Sequence, residues 1–337
     1  MKKLLLYGAL PAIALAAFLL ILAKLDVGPV NSLIPNREVK LTILATADLH
    51  GSIPDDLAHY IQETRSREDN FMLVDAGDFF DDQNDAATAM QQWFKICRNA
   101  DNAGQPRRMP PIVRHMSELD YDAVVLGNHE FLSNDKLGLN ELILDFTDCY
   151  IPVLSANLYE TSAVNPYSGE YYRNYVTPYI MKDFSTPQGV LKVGILGLTL
   201  PEVGEGGENV EDLPAYKGIL KLEDMVKEAD KWAECMKMNG ADIVVAVVHS
   251  GEEPLKPKHP GNRVKELARS VNGIDAIVAS HTHLNIPSHQ YKNPAGQSVI
   301  VTQPGKWGEY CSRIDFVLAK EKGKWLVKNK SSLTKEI

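Results

Sequence analysis

Three observations predict an α/β fold. Short apolar runs such as "LTILAT", "FMLVD" and "DIVVAVV" alternate with stretches whose apolar residues recur at helical spacing. Of the 337 residues, 45% are hydrophobic, enough to build a substantial core. Five of the apolar runs stop on Asp, Asn or His, at the carboxyl ends of strands, where open α/β folds collect their ligands.

Taken in order, the chain opens with Lys2 and Lys3 before "LLLYGALPAIALAAFLLILA", residues 4–23, which carries no charge. A run of this length can span a bilayer core of roughly 30 Å, so residues 1–24 read as a signal anchor or a cleaved signal peptide. The lysine pair favours an N-terminus inside and a body exported, tethered to the membrane through this helix or secreted if it is cut. Residues 25–38, with Pro, Gly and Asn and no period, read as a linker. The main domain is then 39–330. Strands are predicted over 40–46, 71–75, 122–126, 151–155, 190–198, 242–248, 274–279 and 298–302. Helices are predicted over 55–67, 86–99, 110–119, 136–146, 221–239 and 261–271. The polar stretch 81–110 reads as a surface insertion or a flap. From Cys311 the pattern is a hairpin turning at "EKGK", followed by a frayed polar tail.

Charged residues make up 23% and the net charge is -9, with no Lys/Arg-rich run, which argues against a nucleic acid polymer as partner. A small anionic substrate is still compatible, because a bound cation reverses the local sign. The four cysteines, Cys97, Cys149, Cys235 and Cys311, form no C-x-x-C, so they are read either as free thiols or as disulfide partners of unassigned pairing. Neither G-x-x-x-x-G-K-[ST] nor H-E-x-x-H is present.

The strand ends carry the chemistry. They are "TADLHG" (Asp48, His50), "VDAGDFFD" (Asp78), "VVLGNHEF" (Asn128, His129), "VAVVHSG" (His249) and "IVASHTH" (His281, His283). Alternate residues of an extended chain share a face, so Asp48 and His50 can reach one ion, and His281 and His283 can serve two neighbours. Carboxylate, imidazole and one amide oxygen, without thiolate, suit Mn, Zn or Fe, with Mg possible. Two divalent ions about 3.5–4 Å apart need a shared ligand, and Asp78 is the natural one. Five of the nine histidines fall in these motifs, more than isolated core histidines would give.

The order D-x-H, G-D, G-N-H-E, H and H-x-H resembles the calcineurin-like metallophosphoesterase superfamily. The phrases "ATADLHG", "DAGDFF", "YDAVVLGNHEF", "IPVLSANL", "VGILGLT" and "TQPGKWGEYCSRIDF" resemble the catalytic domain of its 5'-nucleotidase and 2',3'-cyclic phosphodiesterase branch. The resemblance implies a four-layer α/β/β/α sandwich of two mixed sheets flanked by helices. It implies one metal held by Asp48, His50, Asp78 and His283 and a second held by Asp78, Asn128, His249 and His281. It also implies catalytic positions at His129 and Asn128, a small phosphorylated substrate, and an activated water in place of a protein nucleophile. The alternative is a metal-binding scaffold on the same fold with little catalysis. Two departures stand out. Leu132 occupies the place where many 5'-nucleotidases carry an Asp paired with the histidine, so His129 is expected to lack its carboxylate and act as a weaker acid unless Asp135 or another acid reaches it. The chain also stops after the catalytic region, where the full nucleotidases carry a base-stacking C-terminal domain. Trp307 and Trp325 are expected to pack in the core or sheet rather than touch a ligand.

Overall fold

The computed structural model describes residues 38–97, 108–162, 169, 173–252 and 260–337. Residues 1–24, read above as a signal anchor or signal peptide, and the expected linker up to residue 37 lie outside the described residues, as do residues 98–107 of the polar stretch. Val39–Ile337 form one compact unit. Among the described residues no helix is long and apolar enough to cross a membrane.

The strands fall into two six-stranded sheets. The first holds β1 (Val39–Thr46), β2 (Phe71–Asp75), β3 (Ala123–Val125) and β4 (Val153–Leu154), all parallel, and the hairpin β13 (Tyr310–Glu321) and β14 (Lys324–Glu336) added antiparallel to β1. The second runs β11 (Asn285–Lys292), β12 (Ser298–Pro304), β10 (Ala276–Val278), β9 (Ile243–His249), β7 (Gly189–Thr199) and β6 (Tyr179–Thr186). Its four central strands are parallel and its two outer strands antiparallel. A two-stranded ribbon pairs β5 (Leu158–Glu160) with β8 (Leu220–Leu222). Parallel strands put all their carboxyl ends on one edge, which is the edge that carries the site.

Strand periodicity explains the layers. In β1, Leu41, Ile43 and Ala45 enter one core while Leu44 enters another, because successive side chains leave opposite faces. In β9, Ile243, Val245 and Val247 join that first core while Val244, Ala246 and Val248 turn to a third. The shared core is therefore the seam between the two sheets. The outer face of the first sheet is covered by α1 (Asp55–Arg67), α3 (Pro111–Glu118) and α5 (Lys136–Asp148) through Leu57, Ile61, Ile112, Met116, Leu142 and Phe146. The outer face of the second is covered by α6 (Met225–Met238) and α7 (Val264–Ser270) through Ala229, Met236 and Leu267. Two further helices, α2 (Thr88–Cys97) and α4 (Asn128–Leu132), stand beside the carboxyl edge, α2 packing Trp93 and Phe94 on Phe80.

All eight predicted strands and all six predicted helices are present, with shifted ends. The frayed tail is a correction. β14 is paired with β13 as far as Glu336, and its Lys, Ser and Thr side chains suit a solvent-facing edge strand, which alternation alone did not reveal. All four cysteines are free. Trp325 is buried against the sheet, its indole N–H donating to the Val190 carbonyl at 2.8 Å. Trp307 is half-buried at the site edge, its backbone N–H donating to the Asp48 carbonyl at 2.8 Å.

Candidate metal centre

Each strand that ends on the carboxyl edge releases its chain into a short turn, and the turns are laced together by backbone. Asp48 N–H donates to Gly77 O, His50 N–H to Asp78 O and Gly51 N–H to Phe79 O, each at 2.9 Å. This lacing holds unusual backbone. Nine non-glycine residues have positive φ among the described residues, and five are expected ligands: Asp48, His50, Asp78, His281 and His283. Left-handed backbone costs a non-glycine residue on the order of 1–3 kcal/mol, and it clusters where function over-determines geometry. Gly77 and Gly127 are required by contact. A Cβ on Gly127 would lie 2.3 Å from Asp78 Oδ1, and one on Gly77 would lie 2.7 Å from both Gly127 N and His249 Nδ1.

The structure brings all seven expected metal residues to this edge in two groups. In the first, His50 Nε2 lies 3.1 Å from His283 Nε2, and His283 Nε2 lies 3.7 Å from Asp48 Oδ1. In the second, Asp78 Oδ2 lies 3.2 Å from His249 Nε2, while Asn128 Oδ1 lies 3.0 Å from His249 Nε2 and 3.1 Å from His281 Nδ1. Asp48, His50, Asp78 and His249 are almost fully buried, whereas the His283 side chain is 36% exposed and opens the site to solvent.

The partners of the rings assign their tautomers. His249 Nδ1 faces the Ala76 carbonyl at 2.8 Å, so it carries the proton and Nε2 offers a lone pair to the centre. His50 Nδ1 faces Asp81 Oδ2 at 2.6 Å, with the same consequence for its Nε2. Nε2 of His50 and Nε2 of His249 thus both face the centre, beside the oxygens of Asp48 in one group and of Asp78 and Asn128 in the other. That donor set fits a divalent cation: buried acceptors converge, and their outer atoms are already hydrogen-bonded.

Electrostatics follow from this crowding. Burial, then the charge of Asp78, push Asp48 well above the usual carboxylate range, against the His281 N–H that donates to it at 3.0 Å. Burial would raise Asp78 too, but His249, with His129 and His50, outweighs it and holds Asp78 far below its ordinary value. Burial, and then Asp78, work to raise Glu130, against the N–H groups of Phe80, Gly127 and Asp78 that donate to its carboxylate.

His129 opens α4 beside Asn128, and its Nε2 lies 4.0 Å from Asp78 Oδ2. Of the two outcomes left open by Leu132, another acid does reach His129. Its Nδ1 lies 2.7 Å from Asp81 Oδ2, the same oxygen that holds His50. Burial alone would lower His129, but Asp81 and then Asp78 raise it to about 9. Asp135 serves elsewhere, capping α5 by accepting from Gly138 N–H at 2.8 Å. Sequence reasoning missed Asp81, although it closes "VDAGDFFD" three residues after Asp78. The signal was there, but a turn Asp is ordinarily a cap.

The chain matches the family described as calcineurin-like phosphoesterase over residues 41–285. It is 30% identical over 319 residues to the trifunctional nucleotide phosphoesterase protein YfkN of Bacillus subtilis, covering 86% of this chain and 20% of that protein. It is 28% identical over 330 residues to the 2',3'-cyclic-nucleotide 2'-phosphodiesterase/3'-nucleotidase of Haemophilus influenzae, covering 89% of this chain and 46% of that one. The chain therefore spans less than half the length of these curated relatives. The crystal structure of calcineurin-like phosphoesterase YfkN superposes with a TM-score of 0.66 at 29% identity, covering 89% of this chain and 91% of that one. With a family match over most of the domain, the chain belongs to the calcineurin-like phosphoesterase family.

Proposed function

We propose that this chain hydrolyses nucleotide-like phosphate esters, monoesters or cyclic diesters, at a centre for two divalent cations. Asp48, His50, Asp78 and His283 would hold one cation, and Asp78, Asn128, His249 and His281 the other. The observation that carries this reading is the convergence of ligand-type atoms of Asp48, His50 and His283 in one group and of Asp78, His249 and His281 in another, the second containing the aspartate that a paired centre must share. Mn, Zn or Fe suits the donors, and Mg is compatible. The nucleotide phosphoesterase and cyclic-nucleotide phosphodiesterase among the relatives support a nucleotide-like substrate. The layering of helices, two sheets and helices supports the four-layer α/β/β/α sandwich.

When bound, such cations polarise phosphate oxygens and lower the pKa of water to about 7. The chain's own residues then orient and protonate. Asp81 fixes the His129 ring through Nδ1, so Nε2 faces the centre as a proton donor to a phosphate oxygen or to the departing alcohol. Asn128 contacts His249 and His281 together and fixes their spacing. No side-chain nucleophile is needed. For location, we place the catalytic domain, 39–330, outside the cytoplasm, tethered by residues 1–24 or released if they are cleaved. The lysine pair and the uncharged run 4–23 support this.

The test is a substrate panel of aryl phosphates, nucleoside monophosphates and 2',3'-cyclic nucleotides, each with Mn, Zn and Mg. Turnover should vanish with chelator and fall by about a thousandfold or more in Asp78→Ala. Stoichiometric metal binding without turnover on any of these would instead favour the scaffold reading. For topology, amine labelling of intact cells should reach Lys2 and Lys3 only from the cytosolic side.

A further inference from the structure

Glu130 is completely buried, and its carboxylate faces four backbone N–H groups. Its Oε1 accepts from Phe79 N–H at 3.0 Å and Phe80 N–H at 2.8 Å; its Oε2 accepts from Asp78 N–H at 3.0 Å and Gly127 N–H at 2.6 Å. Three consecutive amides closing on one anion make a backbone nest, and the first belongs to a residue with left-handed backbone, φ 59°. The fourth amide immediately precedes Asn128. One carboxylate therefore clamps the turn after β2, which carries Asp78, to the start of α4, which carries Asn128 and His129. The far side of the nest is anchored by packing, with Phe79 on Phe146 and Phe80 on Trp93 and Phe94.

We propose that Glu130 is a positioning residue of the cation centre, whose carboxylate holds the backbone of Asp78 in its left-handed turn and so sets where the shared aspartate sits relative to Asn128. This rests on the two-cation reading above. The chemistry is specific to a carboxylate. Four N–H donors need four acceptor sites, and a glutamine in either flip would turn its NH₂ toward two of those donors. Losing acceptors at a buried site leaves the amides unsatisfied, and the turn relaxes toward ordinary backbone.

The experiment compares the parent with Glu130→Gln and Glu130→Asp by amide hydrogen exchange and by calorimetric titration with Mn²⁺, both independent of turnover. In Glu130→Gln the amides of Asp78, Phe79, Phe80 and Gly127 should exchange about tenfold faster or more, while Val245 in the centre of β9 stays within about threefold. Mn²⁺ affinity should fall about tenfold to a hundredfold, the range typical of lost ligand-orienting partners. Glu130→Asp, shorter but still charged, should recover part of the affinity. Affinity within about threefold of the parent in Glu130→Gln, or faster exchange spread equally to Val245 with unchanged affinity, overturns the proposal. If Glu130→Gln does not fold, Glu130→Asp carries the test by the same criteria. A parent that binds no Mn²⁺ removes the two-cation reading and this proposal together, whereas variants that match a metal-binding parent remove only the role of Glu130.

Discussion

Asp81 shows how one residue changes the reading of its neighbours. Its Oδ2 meets Nδ1 of both His50 and His129, so a single carboxylate fixes both rings; in the proposed function one would face a cation and the other the phosphate. The Leu132 departure loses its force, because the carboxylate arrives from the turn after β2 rather than from the helix. In Asp81→Asn an amide NH₂ would face those rings and favour the wrong tautomer of His50. That variant is expected to bind Mn²⁺ about tenfold to a hundredfold more weakly and to lose kcat by a similar factor even when saturated with metal. Titration calorimetry and steady-state kinetics check it, and parental values for both would show that Asp81 is a bystander.

At the scale of elements, the ends of strands are where sequence and structure meet. β1, β2, β3 and β9 were legible because unbroken apolar runs between turn residues describe strands buried on both faces. The edge strands β6 and β11 and the far part of β14, beyond the hairpin that "EKGK" announces, were not, since their exposed, mixed faces lack a strong period. One joint between elements has a pH signature. Arg313 on β13 pairs with Glu68 after α1 and with Asp315, which also accepts from Thr42 on β1 at 2.8 Å. Burial would raise both carboxyls, but Arg313, with Lys40, holds Glu68 and Asp315 below their ordinary range. Groups with depressed values stabilise the fold above the unfolded pKa of about 4 and lose that contribution as pH falls through the folded value. Arg313→Met should therefore cost about 1 kcal/mol at pH 7 and low salt, shrinking toward nothing near pH 2. Urea unfolding at the two pH values measures it, and an undiminished difference at low pH would assign the loss to packing instead.

For the whole molecule, the two sheets meet at the site edge with like-charged and lone-pair atoms crowded together. Asp48, Asp75, Asp78 and Glu130 are all buried there. Burial of that much carboxylate destabilises the fold unless positive charge joins it. A divalent cation that binds only the folded chain stabilises it by about 2.7 kcal/mol at a hundredfold excess over Kd. For a domain of this size, Mn²⁺ should raise Tm by on the order of 5 °C, chelator should reverse the rise, and Asp78→Ala should lose most of it. Identical melts with and without metal would argue that the centre is not a cation site.

The sequence by itself determined the fold class, the central strands and the seven residues proposed as ligands, because each of those features is local. An apolar run, its length and the Asp and His residues that follow its end are all properties of a few adjacent positions, although left-handed turns rather than extended-chain alternation bring Asp48 beside His50 and His281 beside His283. Only the tertiary structure decided which oxygen holds which ring, that Asp81 rather than Asp135 or a residue at position 132 faces His129, and that Glu130 ties two turns together. Those pairings join residues about 30 to 50 positions apart across turns in left-handed backbone, and no local period or propensity records them. They exist because parallel strands bring distant turns to one edge, where buried polar groups must find partners wherever the packing offers them.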